Sequence, residues 1–186
     1  MPGLLILGGA FDPVHLGHLA LAEFARAESG AARVLFVPAG EAPLKEAAAA
    51  TFAQRAALLR QALAGTDFEL DEREGRRGGP SYTVDTLEEL ARETGEPLLL
   101  LAGADQLAQF RRWHRWERVL ELAQLLVVNR PGWQTPADVV PHQALAWPGM
   151  ELSATWLRAR LAARRPCRHL LPPGVWERIV EEGLYR

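Results

Sequence analysis

Leu4-Leu5-Ile6-Leu7-Gly8-Gly9-Ala10-Phe11-Asp12-Pro13-Val14-His15-Leu16-Gly17-His18 combines an apolar run, a glycine pair and two histidines three residues apart. The run Leu4 to Leu7 has the composition of a strand buried on both faces. From Leu19 to Ala27 the chain is rich in Ala and Leu, which favours helix. The residues between therefore read as a loop joining a strand to a helix. Its glycines let backbone N–H groups approach an anion closely, and the helix that follows aims the positive end of its dipole at the same point. Such a loop is suited to holding phosphate groups. Asp12-Pro13 reads as the signal that starts the helix, because Asp accepts from free amides and Pro has its φ preset for a first turn. His15 and His18 then fall near one face of that turn, toward the same pocket.

A second apolar run, Val34 to Val37, follows one helix length later, past the breakers Ser29-Gly30. The chain thus begins with a βαβ unit. After Pro38 comes a loop, Ala39 to Ala50, and Thr51-Phe52-Ala53-Gln54 opens a second helix with capping-box spacing, running to about Ala64. Phe68 to Leu70 reads as a third strand, and the charged, Gly-rich stretch Asp71 to Pro80 as an exposed, mobile loop. Ser81 to Thr86 leads into a helix ending at Gly95. Pro97 to Ala102 is nearly all leucine, the pattern of a central strand covered on both faces. Gly103-Ala104-Asp105 turns from that strand into a helix, and Arg111 to Trp116 is an aromatic-basic cluster between two helical pieces. Gln124 to Asn129 gives a further strand ending in a turn at Arg130-Pro131-Gly132, with a weak strand near Ala144 to Trp147. Leu152 to Arg158 opens another helix, and Pro172-Pro173-Gly174 precedes a last one ending near Gly183.

Strands alternating with helices indicate an α/β fold. The expectation is a single domain over residues 1–186: a Rossmann-like, doubly wound, mostly parallel sheet with helices on both faces and a helical C-terminus. In such sheets ligands bind outside the carboxyl ends of the strands, where strand order reverses. The loops Gly8 to His18, Pro38 to Lys45 and Gly103 to Asp105 all follow strands on that side.

The 186 residues are 48% apolar and 24% charged, an ordinary soluble composition. A formal charge of −2 argues against broad nucleic-acid binding. The single cysteine, Cys167, excludes an internal disulfide framework and a cysteine-based zinc site. No run approaches the ~20 apolar residues of a membrane helix, and no secretory leader is recognisable. A soluble, cytoplasmic protein is expected, without nucleic-acid or membrane partners; a homo-oligomer is left open. Of 21 basic residues only Lys45 is a lysine, which singles it out.

His15-Leu16-Gly17-His18 alone is a short pattern. It is joined in order by Gly8-Gly9-x-Phe11-Asp12-Pro13, Ser81-Tyr82-Thr83-x-Asp85-Thr86, Gly103-x-Asp105, the Trp113 segment, Arg130-Pro131-Gly132, Ser153-x-Thr155-x-x-Arg158 and the closing Leu184-Tyr185. Together these resemble the bacterial nicotinate-nucleotide adenylyltransferases, within the nucleotidyltransferases marked by H-x-G-H. The resemblance implies transfer of the adenylyl group of ATP to nicotinate mononucleotide, giving the dinucleotide and pyrophosphate. It casts His15, His18 and Lys45 as catalytic. It assigns Gly8, Gly9, Ala10, Phe11, His15, His18, Gly103, Asp105, Arg130, Ser153, Thr155 and Arg158 to ATP. Asp12, Lys45, Ser81, Tyr82, Thr83, Trp113 and Trp116 fall to the mononucleotide, with the start of the helix after Tyr82 favouring a carboxylate over an amide. Mg²⁺ is implied, held mainly by substrate phosphates rather than by a protein cage.

Two positions depart from the family pattern. Ala10 stands where Ser or Thr is usual, so backbone amides must replace a hydroxyl contact, and Leu44 stands where many members have His before Lys45. Another H-x-G-H adenylyltransferase, acting on nicotinamide mononucleotide or phosphopantetheine, is the nearest alternative. A nucleotide-binding module without turnover conflicts with the full complement of His15, His18, Lys45 and Arg158. A dehydrogenase conflicts with the first loop, which lacks G-x-G-x-x-G. His114, His142 and His169 read as ordinary, and Arg164-Arg165 with Arg168 as a solvated helix end.

Overall fold

The computed structural model describes residues 3–41, 47–128, 140–150 and 152–186. Its centre is a six-stranded sheet: β1 (Leu4–Gly9), β2 (Arg33–Pro38), β3 (Glu69–Leu70), β4 (Leu98–Gly103), β5 (Ala123–Val128) and β6 (Gln143–Leu145). The order is β3-β2-β1-β4-β5-β6, and all five pairings are parallel. This is a doubly wound sheet, with its reversal of order between β1 and β4.

The apolar runs are continuous because each strand feeds two cores. Side chains alternate across a strand with period two. Leu5, Leu7, Val34, Phe36, Leu99, Leu101, Leu126 and Val128 enter one core, while Leu4, Ile6, Leu35, Val37, Leu98, Leu100, Leu125 and Val127 enter the other. The first core is covered by α1 (Leu16–Ser29), α2 (Phe52–Leu63), α7 (Ala154–Ala162) and α8 (Val175–Glu181). The second is covered by α4 (Thr83–Thr94), α5 (Ala104–Leu107) and α6 (Trp116–Leu122).

Local signals account for most boundaries. Thr51 Oγ1 accepts from the Gln54 amide at 3.3 Å, and the Gln54 carboxamide accepts from the Thr51 amide at 2.9 Å, the reciprocal capping expected. Helix α1 ends at Gly30 and α4 at Gly95, both in the left-handed region.

Three expectations are corrected. Helix α1 begins at Leu16, with His15 at its N-cap, so Asp12-Pro13 does not start it. The Asp12 carboxylate instead accepts from the amides of Ala49 and Ala50, which precede α2. The stretch 71–80, expected as an exposed loop, contains the short helix α3 (Arg73–Arg77), and Glu74 on it is buried. Packing decided this: Gly75 lies against the Phe52 ring so closely that a Cβ would overlap it at 2.1 Å. The weak strand falls at Gln143–Leu145, pairing with Leu126 to Val128.

Candidate active site

Two cavities open beside the carboxyl ends of β1 and β4 and share Gly8, Gly9, Ala10, Leu101, Asp105 and Gln106 in their walls. The larger, of about 920 Å³, is lined further by Phe11, Asp12, His15, Gly17, His18, Gly103, Ser153, Thr155 and Arg158. The smaller, of about 460 Å³, is lined further by Glu74, Ser81, Tyr82, Thr83, Thr86, Gln109, Arg112, Trp113 and His114. The fold thus brings most of the sequence-predicted residues that lie among the described ones to one edge of the sheet and divides them between adjoining chambers. That division is what a reaction between two ligands requires.

The histidines face the larger chamber as a stacked pair, ring centroids 3.7 Å apart and planes 21° from parallel. The backbone N–H of His15 donates to Nδ1 of His18 at 3.2 Å. An amide can only donate, so Nδ1 carries the lone pair and the ring proton of neutral His18 sits on Nε2. His18 is thereby set as a donor. Phe11 meets the His18 ring edge-on at 5.0 Å. Gly17 has a steric reason: a Cβ there would come within 3.0 Å of His15 Nδ1.

The loop between β1 and α1 is held from several sides. Arg158 on α7 donates to the carbonyl oxygen of Asp12 at 2.7 Å. Arg55 on α2, only 3% exposed, donates to the carbonyl oxygens of Ala10 at 2.7 Å, Ala39 at 2.8 Å and Ala50 at 3.3 Å. Burial depresses the pKa of its guanidinium, which stays charged because its ordinary value is so high. Tyr185 donates its hydroxyl to the Asp12 carboxylate at 2.8 Å. Asp12, assigned from sequence to the mononucleotide, thus has its carboxylate engaged by three donors of the protein itself.

Ser153 caps α7, its hydroxyl accepting from the Trp156 amide at 3.2 Å, and Thr155 lies within 3.4 Å of the Arg158 guanidinium. These residues bring free amides and a cation to the larger chamber. Asp105 stands between the two chambers, its carboxylate folded back over Gly103, where a Cβ would meet it at 2.6 Å.

In the smaller chamber, Tyr82 occupies the N-cap of α4 and Thr83 its first turn. Trp113 lines the wall with its ring on Phe110, centroids 4.9 Å apart. Trp116 lines neither chamber; it packs partly buried into the second core, under the Arg111 guanidinium. His114, expected to be ordinary, lines this chamber and packs on Tyr82 at 4.4 Å. Lys45 and Arg130 lie outside the described residues.

Sequence reasoning missed Glu74 and Arg55. Glu74 accepts from the Thr86 hydroxyl at 2.9 Å, and burial pushes its carboxyl above the ordinary range. Its position inside a charged, glycine-rich stretch gave no signal. Arg55 did give one: with Leu58, Leu59, Ala62 and Leu63 it falls on the buried stripe of α2, the only charge there.

A doubly wound sheet whose reversal point carries paired histidines, helix N-termini and two adjoining chambers defines a nucleotide-handling transferase. Residues 6–160 match the family model described as cytidylyltransferase-like. An Aeromonas hydrophila protein named "Probable nicotinate-nucleotide adenylyltransferase" is 41% identical, covering 100% of this chain and 98% of its own. A Roseiflexus protein of the same name is 43% identical, covering 97% and 96%. The chain belongs to the nicotinate-nucleotide adenylyltransferase family. In fold it is similar to the Plasmodium falciparum nicotinic acid mononucleotide adenylyltransferase complexed with NaAD, at TM-score 0.81 and 15% identity, covering 100% of this chain and 98% of that one.

Proposed function

We propose that the protein transfers the adenylyl group of ATP to nicotinate mononucleotide, forming nicotinate adenine dinucleotide and pyrophosphate. The observation that carries this reading is the pair of chambers meeting at Gly8 to Ala10, one with the histidine pair and one with the α4 N-terminus and Trp113. The names of the curated relatives support it. ATP takes the larger chamber and the mononucleotide the smaller, which brings the acceptor phosphate and the α-phosphorus together at the shared wall. An acceptor phosphate oxygen attacks the α-phosphorus in line, and the bond to the bridging oxygen breaks to release pyrophosphate.

The acceptor is already an anion, so the protein need supply only position and charge stabilisation. His18 donates Nε2–H to the phosphate oxygens, beside His15. Arg158, Thr155 and the first amides of α7 hold the leaving pyrophosphate. The pyridine ring lies against Trp113, and its carboxylate accepts from amides at the start of α4, whose dipole favours the anion.

Mg²⁺ would neutralise phosphate charge. Such an ion is commonly carried on substrate phosphates and water with only one or two protein carboxylates. Asp105, at the junction of the chambers, is the carboxylate placed to hold such an ion through water or to bind a ribose hydroxyl. Among the described residues no helix is long and apolar enough to cross a membrane. A product assay with ATP and the two pyridine mononucleotides tests the reading.

A further inference from the structure

Tyr185 belongs to a sequence motif for which the transfer chemistry provides no role, yet it reaches the catalytic loop. Its hydroxyl donates to Asp12 Oδ1 at 2.8 Å, 173 residues away in sequence. Asp12 is 3% exposed, and the same carboxylate accepts from the amides of Ala49 at 2.7 Å and Ala50 at 3.1 Å. Four separate parts of the chain therefore meet at one carboxylate: the loop after β1, the segment before α2, the turn after α8, and α7, whose Arg158 Nη1 lies 3.8 Å from Asp12 Oδ2. Ala47 and Ala48, immediately before the two bonded amides, line the larger chamber together with His15 and His18.

A carboxylate buried at this depth needs its donors. The amides of Ala49 and Ala50 engage one oxygen each, and the phenol adds a second donor to Oδ1, the oxygen that also accepts from Ala50. Burial and the neighbouring carboxylate both push the Tyr185 phenol above its ordinary value, so it remains a donor at working pH. Tyr185 itself sits at φ +60°, a left-handed conformation that costs a bulky residue energy and is kept by surrounding contacts. Its ring packs on the first core, which would survive loss of the hydroxyl alone.

We propose that Tyr185 is a positioning residue for adenylyl transfer, acting through Asp12 to lock the segment before α2 against the histidine loop and so fix the wall of the ATP chamber. This role rests on the assignment of the larger chamber to ATP. It also accounts for the closing Leu184-Tyr185 motif, since the C-terminal turn fastens the loop from which His15 and His18 act.

The test uses Tyr185→Phe, which keeps the ring, together with Asp12→Asn and the double variant. Turnover of Tyr185→Phe is expected to fall about tenfold, as for a misplacement of the reacting groups well under 1 Å, with the melting temperature within a few degrees of wild type. The double variant is expected to be no slower than Asp12→Asn alone, since Tyr185 acts through that carboxylate. Amide exchange at Ala49 and Ala50 is expected to quicken in Tyr185→Phe. Wild-type turnover in Tyr185→Phe, a loss that multiplies with that of Asp12→Asn, or a loss that follows unfolding and vanishes at low temperature would each overturn the proposal. Wild-type protein that makes no dinucleotide would overturn the functional reading instead, while the exchange measurement would still decide whether Tyr185 holds the segment.

Discussion

The backbone N–H of His15 donates to Nδ1 of His18 at 3.2 Å while the two rings stack 3.7 Å apart. One histidine thereby sets the tautomer of the other, leaving Nε2–H as the ring's donor at the larger chamber. Loss of one preorganised donor costs about 10²–10³ in turnover, and His18→Ala should show a loss of that size. His18→Gln, whose amide nitrogen can reach the Nε2 position, should recover part of it. His18→Asn, which can reproduce only the Nδ1 position, should not. Steady-state turnover of the three variants decides the point, and Asn outperforming Gln would reverse the tautomer assignment.

Gly17 separates activity from stability. It lies in the first turn of α1, where Ala is favoured over Gly by up to about 1 kcal/mol, yet a Cβ would meet His15 Nδ1 at 3.0 Å. Gly17→Ala should leave the melting temperature unchanged or raised while turnover falls about tenfold or more through displacement of the imidazole. Calorimetry and kinetics on the same preparation check this, and full activity would show that His15 has room to move.

Trp113 offers the smaller chamber its aromatic wall. An aromatic contact is worth about 0.5–1.5 kcal/mol beyond its buried area, so Trp113→Ala should raise the KM for the mononucleotide by up to about tenfold. The KM for ATP should change little, because the residue does not line the larger chamber. Trp116→Ala should lower thermal stability through the second core without that selective change in KM. An increase confined to the ATP KM in Trp113→Ala would exchange the two chambers.

The fold was legible because the strands obey a simple rule: both faces are covered, so Leu4 to Leu7 and Leu98 to Leu101 are unbroken apolar runs. The paired histidines and the start of α4 were legible through their local spacing. Residues whose role depends on distant partners were not. Asp12 before Pro13 has the local appearance of a cap, but its partners are Ala49, Ala50 and Tyr185. Glu74 is one acidic residue among several in 71–80, and only the approach of Thr86 and Gly40 shows it to be buried. Trp113 and Trp116 are equivalent in composition; which one faces a chamber is decided by the turn at Phe110–Arg112 and the start of α6.

Glu74 also gives a pH dependence. Its carboxyl lies above the ordinary range chiefly because of burial, against which Thr86, Gly40 and Arg77 act. The native state therefore holds this proton more tightly than the unfolded chain does. The stabilisation is fully present below the unfolded carboxyl's titration and is lost as pH rises through the raised native value. Glu74→Gln keeps an acceptor for Thr86 and removes the titration. The melting temperature of wild type should decline relative to this variant as pH increases from mildly acidic toward neutral. A difference that is constant with pH, or of opposite slope, would mean that Glu74 is held as the anion.

Acceptor choice probes the whole arrangement. Charge-assisted hydrogen bonds to the carboxylate are worth about 1.5–3 kcal/mol, which corresponds to roughly 10–100-fold in specificity. The decisive measurement is dinucleotide and pyrophosphate formation from ATP and Mg²⁺ with nicotinate mononucleotide and nicotinamide mononucleotide supplied separately. The expected result is stoichiometric dinucleotide and pyrophosphate with both, and a kcat/KM at least tenfold higher for the acid. Formation of no dinucleotide with either acceptor, or equal efficiency with the two, would contradict it.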